Sequence, residues 1–152
     1  MKLECRGVFV APFVPDGWTG SQEGERTYAL QSPMGDAAVH ISVYSREPGP
    51  ITGDDAHDML HKFLTEAVGT TAADIEVVDQ RPTEQRAFSR FTHALDDAKP
   101  AARWFATAIV WPEHMLMCTY IGGVQDLAAG EKMLASIVRP REGFWRRLLQ
   151  RD

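Results

Sequence analysis

The 152-residue sequence has no asparagine and only two cysteines, Cys5 and Cys118. Without asparagine there is no N-glycosylation acceptor. Two cysteines far apart in the chain make no disulfide framework. Both fall in strand-like segments, where a free thiol behaves as a small buried hydrophobe. No apolar run approaches the roughly 20 residues that a membrane-spanning helix requires. The opening stretch Met1–Val10 has one lysine and a very short apolar run, too little for a secretory leader. A G-x-x-x-x-G-K-[ST] loop, a G-x-G-x-x-G turn and a G-x-S-x-G elbow are all missing, so no motif argues for a nucleotide site or a serine nucleophile. Excess positive charge is missing too. The net charge of −5 argues against general nucleic-acid binding.

What is present is an ordinary globular mixture, 44% hydrophobic and 24% charged, of a length that suits one domain. These features lead us to expect a cytoplasmic protein. The charge is unevenly spread. Residues 139–152 hold five Arg against one Glu and one Asp, a net +3, which leaves −8 on the first 138 residues.

The pattern of elements reads from the amino end. Leu3–Val10 is a short strand, and Phe13, Val14 and Trp18 fold inward around the Pro15-Asp16-Gly17 turn. Gly20–Gly24 is polar and reads as a loop. Arg26–Ser32 is a strand. In Ala37–Arg46, Val39, Ile41 and Val43 alternate with His40, Ser42 and Tyr44, the period of a strand with one buried face. From Asp54 to Val68, Ala56, Met59, Leu60, Phe63, Leu64, Ala67 and Val68 recur at three and four residues, an amphipathic helix stopped by Gly69. Thr52 and Asp55 resemble a capping box at its start. Four strands follow, Ile75–Gln80, Gln85–Asp96, Arg103–Trp111 and Met115–Ile121, the last two joined by Pro112-Glu113-His114. Both faces of the last two are mostly apolar, so they belong at the centre of a sheet covered on both sides. A second helix spans Asp126–Val138, with Leu127, Met133, Leu134, Ile137 and Val138 on its buried side. The expected fold is therefore α+β, a single-domain α/β/α sandwich. Its twisted antiparallel sheet has about six or seven strands and one helix on each face. Residues 1–140 form this domain. Residues 141–152 form a basic amphipathic tail helix, with Phe144, Trp145, Leu148 and Leu149 on one side and Arg146 and Arg147 mostly on the other.

Few residues invite chemistry. His57 and His61, at i and i+4, can reach one metal ion, but Asp58 stands where a zincin has Glu and no third ligand follows at a fixed offset. Their place at the edge of the apolar stripe fits a structural role. His93 and Cys118 are a pair only if the fold brings them together. Asp54-Asp55 and Asp96-Asp97 flank turns or a helix start, where capping accounts for them. Arg90 and Arg103 with Trp104 and Trp111 resemble a base-stacking platform, although aromatics on central strands are usually core. No catalytic residue, cofactor or metal is expected. The tail residues Phe144, Trp145, Arg146, Arg147, Leu148 and Leu149 are the candidate partner-binding set.

Several local patterns resemble the PsbP-like superfamily, which includes the photosystem PsbP proteins, a Ran-binding nuclear import factor and bacterial domains. They are Phe13-Val14-Pro15-Asp16-Gly17-Trp18, the strand Val39–Val43, the helix Met59–Val68, the strands Ala87–Leu95, Trp104–Val110 and Leu116–Ile121, and the closing Ser136-Ile137-Val138-Arg139-Pro140. Among bacterial members the sequence is most similar to the cytoplasmic Eag-type chaperones of type VI secretion effectors. The resemblance implies a non-catalytic protein-binding domain, often dimeric. Its partner would be a protein, such as an apolar segment of an effector, with no nucleic acid and no membrane span. A toxin-neutralising immunity protein is the near alternative. A small enzyme or ligand-binding domain, its site formed only in three dimensions, is the distant one.

Overall fold

In this computed structural model, residues 2–70, 73–94 and 96–140 are described. The expected tail helix and its candidate residues 144–149 lie outside them.

The alternating segments pair where their apolar faces can be buried together. Among the described residues nine strands form, β1 (Leu3–Cys5), β2 (Phe9–Ala11), β3 (Thr19–Gln22), β4 (Thr27–Gln31), β5 (Ala38–Ser45), β6 (Glu76–Arg81), β7 (Glu84–His93), β8 (Ala102–Val110) and β9 (His114–Gly122). The described residues also hold two helices, α1 (Asp55–Lys62), which runs on into a wider π-helical turn over Phe63–Val68, and α2 (Val124–Ala135). Seven strands make one antiparallel sheet in the order β3-β4-β5-β9-β8-β7-β6. The doubly apolar strands β8 and β9 are interior, as their composition requires.

Each face of the sheet has its own core. On the front, Ala56, Leu60 and Leu64 of the first helix meet Ala87, Ala106, Ala108, Val110 and Met117. On the back, Met133 and Leu134 of α2 with Ile137 meet Phe105, Ile109, Leu116, Cys118 and Tyr120. The α+β sandwich with a helix on each face is thus the observed architecture. Among the described residues, no helix is long and apolar enough to cross a membrane.

Four local expectations need correction. The first segment is not one strand. β1 and β2 form a hairpin of their own, apart from the large sheet, and it packs on the back with Val14 and Trp18. The polar Gly20–Gly24 stretch is not wholly loop, because Thr19–Gln22 pairs along β4 as an edge strand. Backbone hydrogen bonding to a neighbour needs no apolar pattern. The capping box does not form. Asp54 precedes the helix without a side-chain cap. The Gln85 side chain rises from β7 instead. Its Oε1 accepts from the Ala56 N–H (3.1 Å) and its Nε2 donates to the Gly53 carbonyl (2.9 Å). Finally, α2 ends at Ala135, and Val138 is exposed because it turns away to pair with Val10.

Candidate functional site

The two helices do not cover equal parts of the sheet. α1 lies over β7 and β8 and touches β6, whereas α2 lies over β8 and β9. On the back, the β1–β2 hairpin and the Phe13–Trp18 segment cover β4 and β5. On the front, none of the described helices lies over β3, β4 and β5. The open half carries Thr27, Ala29, His40, Ser42 and Tyr44, in register with Met115, Met117 and Thr119 of β9.

Where the helix ends and the open half begins, a groove of about 360 Å³ runs along the sheet. Its floor is Tyr44, Met115 and Met117. Its wall is Met59, Phe63 and Ala67, and Lys62 and Glu66 stand at the rim. The wall coincides with the π-helical turn. The Gly69 N–H donates to the Leu64 carbonyl at 2.9 Å, five residues back, and Gly69 adopts φ 86°, a left-handed conformation that suits glycine. Thr65 Oγ1 donates to the His61 carbonyl at 3.0 Å, giving that acceptor a side-chain partner within the turn. Such widened turns are frequent at functional sites. A second depression lined by Arg26, Thr27, Ser42, Tyr44 and Ser45 extends the trough toward β4. Thioether side chains adapt to irregular apolar surfaces, and three methionines border this groove.

By periodicity Met59 and Phe63 belong to the stripe against the sheet. Leu60 and Leu64 are fully covered there, while Met59 and Phe63 stay partly exposed at the stripe's margin. Periodicity identifies an apolar face but not which edge of it lacks a neighbour. Met115 and Met117 share one face by alternation, so a signal existed. Nothing in the sequence said that Tyr44 would stand beside them.

The other candidates are scattered. His57 and His61 stack, with ring centroids 6.3 Å apart, on the outer side of α1, and His57 Nδ1 lies 3.4 Å from Asp58 Oδ1. Among the described residues, no group of three His, Cys, Asp or Glu side chains is placed to hold a metal ion. Cys118 sits on the back face opposite Thr107, fully buried, and burial pushes its thiol up to about 12. His93 is on the front face at the far end of β7, beside Trp104. The fold therefore separates the only Cys–His pair that the sequence offered for nucleophilic chemistry. Cys5 is partly buried on the hairpin. The Tyr28 hydroxyl is pushed up to about 12, chiefly by burial and further by Cys5. Asp54 accepts from Gln80 Nε2 (2.7 Å), and Asp96 accepts from the Ala98 N–H (2.9 Å), both local structural duties. Trp104 and Trp111 point to opposite faces and are buried. Their indoles donate to the His93 carbonyl (3.2 Å) and to Glu84 (2.8 Å), so they form no stacking platform.

No protein-family model and no curated protein matches the chain. Solved structures do. A crystal structure of a protein from Bacteroides thetaiotaomicron superposes with TM-score 0.58 at 16% identity, over 93% of this chain and 49% of that one. This chain therefore spans about half the length of that protein. The solution structure of PsbP (CyanoP) from the cyanobacterium Synechocystis superposes with TM-score 0.65 at 12% identity, over 91% of both chains. At such identities the likeness concerns the fold, and the fold of this chain is PsbP-like.

Proposed function

We propose that the chain is a non-catalytic protein-binding module whose front groove receives an apolar segment of a partner. In its most specific form it is a cytoplasmic chaperone or adaptor for a bacterial secretion effector. The observation that supports this reading is the groove itself. Tyr44, Met59, Phe63, Met115 and Met117 line a trough of about 360 Å³ beside a half-sheet that no described helix covers. Apolar surface of this kind, rimmed by Lys62 and Glu66, is what an interaction site offers. The dispersal of the candidate chemical residues also supports a binding role. The sequence-derived tail face, Phe144, Trp145, Leu148 and Leu149 with Arg146 and Arg147, is proposed as a second contact for the partner or for a second copy. The −8 carried by the first 138 residues favours, as a second reading, an immunity protein for a basic toxin.

The test is photocrosslinking in cells. p-Benzoylphenylalanine is placed at Tyr44 or Met59 in the groove, and at the exposed Val124 on α2 as a control. The expected result is one protein joined from both groove positions through an apolar segment, not joined from Val124, and lost in Met115→Glu. Groove positions that label no more specifically than Val124 overturn the reading. A toxin inhibited by this chain transfers it to the immunity form, and crosslinks to the chain itself replace the partner by a second copy.

A further inference from the structure

On the back, α2 lies over β8 and β9, and among the described residues the face toward β6 and β7 along its edge is open. A cavity of about 260 Å³ lies there. Its floor is Phe88, Phe105 and Thr107, and Val78, Leu134 and Ala135 stand around it. The two rings stack with centroids 5.5 Å apart. Thr107 donates its hydroxyl to the Ala87 carbonyl (2.9 Å), so this lining offers mainly apolar surface.

Three charged side chains complete the lining, Arg86, Arg90 and Glu131, and Glu84 beside Arg86 brings the four charges to zero. Glu131 holds Arg90 by two bonds, from Nε (2.7 Å) and Nη2 (3.1 Å), and Arg90 lies over the Phe88 ring at 4.7 Å and the Phe105 ring at 5.7 Å. Arg86 faces Glu84 with its Nε (3.2 Å) and donates to it from Nη2 (3.3 Å), and the same Nη2 reaches the Ile137 carbonyl. Among the described residues, no partner takes the Nη1 of either guanidinium. The Arg86 side chain is only 14% exposed. A guanidinium presents five donors, so each of the two keeps capacity for an acceptor in the cavity. The cavity thus joins an aromatic floor to two cations with spare donors.

We propose that this cavity binds a small organic carboxylate, its apolar body against Leu134 and Ala135 beside the Phe88 and Phe105 rings and its carboxylate between Arg86 and Arg90. Carboxylate geometry matches a guanidinium edge. A singly charged carboxylate meets less repulsion from Glu131 and Glu84 than a doubly charged phosphate does. The cavity is smaller than the pockets that hold drug-sized ligands, which limits the guest to a compact molecule. The site is on the opposite face from the docking groove and stands independently of it.

The probe is 4-phenylbutyrate, titrated into the full chain and followed by calorimetry and by amide chemical shifts. The expected result is saturable binding with shifts centred on Phe88, Thr107 and Leu134, at least tenfold tighter than for 4-phenylbutanol, acetate or inorganic phosphate. Ala135→Phe, which narrows the mouth from an exposed position, weakens binding at least tenfold. Arg90→Gln, also exposed, costs the acid more affinity than the alcohol. Absence of saturable binding, equal binding of the alcohol or of phosphate, or unchanged affinity in Ala135→Phe each overturns the proposal. Arg86 is left intact because it also holds the Ile137 carbonyl.

Discussion

Gly130 of α2 lies directly against the ring of Tyr120 on β9, and a Cβ at position 130 stands 2.3 Å from Tyr120 Cδ2. Helix and sheet approach closely here because the helix presents no side chain. Tyr120 is fully buried, and its hydroxyl donates to the Gly123 carbonyl at 2.6 Å, so the ring is held at both ends.

Gly130→Ala is therefore expected to destabilise the protein by about 1–3 kcal/mol, the usual cost of overpacking. In an exposed helix interior the same change gains about 1 kcal/mol. Urea unfolding measures it, and a stabilised variant refutes the contact. Tyr120→Leu in the same chain is expected to remove most of the penalty.

Two neighbours on the first helix should respond differently. Leu60 has no exposed surface in the front core, and Leu60→Ala is expected to cost about 2–5 kcal/mol. Phe63 stands at the groove margin, so Phe63→Ala is expected to cost clearly less than the 3–5 kcal/mol of a fully buried ring. Equal losses in chemical denaturation would place Phe63 in the core and close the groove.

Burial is the chief influence holding the His114 imidazolium below its ordinary range. Glu113 opposes that shift, while Arg26 and Arg139 reinforce it. The folded state thus resists protonation. The associated stability is present above the unfolded-state value of about 6.5 and is lost as pH falls through the lower folded value. Denaturation midpoints taken at pH 7.5 and 5.0 are expected to fall more in the wild type than in His114→Gln. Parallel falls would show that His114 is not responsible.

The thiols should separate by accessibility. Cys118 is buried and its thiol lies at about 12, so iodoacetamide at pH 8 is expected to label Cys5 in the native state and Cys118 only on unfolding. Mass spectrometry after brief labelling reads this directly. Comparable native labelling of both would mean that the back core opens readily.

The residues alone determined the parts of the fold that repeat. Alternation in Val39, Ile41 and Val43 marked a one-sided strand, the doubly apolar faces of β8 and β9 placed them inside the sheet, and the three-and-four spacing around Leu60 made a helix that had to cover it. Those signals are periodic because burial of one face imposes its own period on the chain. The tertiary structure alone decided what has no period. Thr19–Gln22 became an edge strand because β4 offered backbone partners. Gln85 became the cap of a helix distant in sequence. Tyr44 met Met115 through the β5–β9 register. Arg86 and Arg90 came to share a cavity with Phe105 through the β7–β8 register. Above all, periodicity cannot specify how far a helix is offset across a sheet. Among the described residues, that offset, α1 toward one edge on the front and α2 over the middle on the back, leaves open the two surfaces on which binding is proposed.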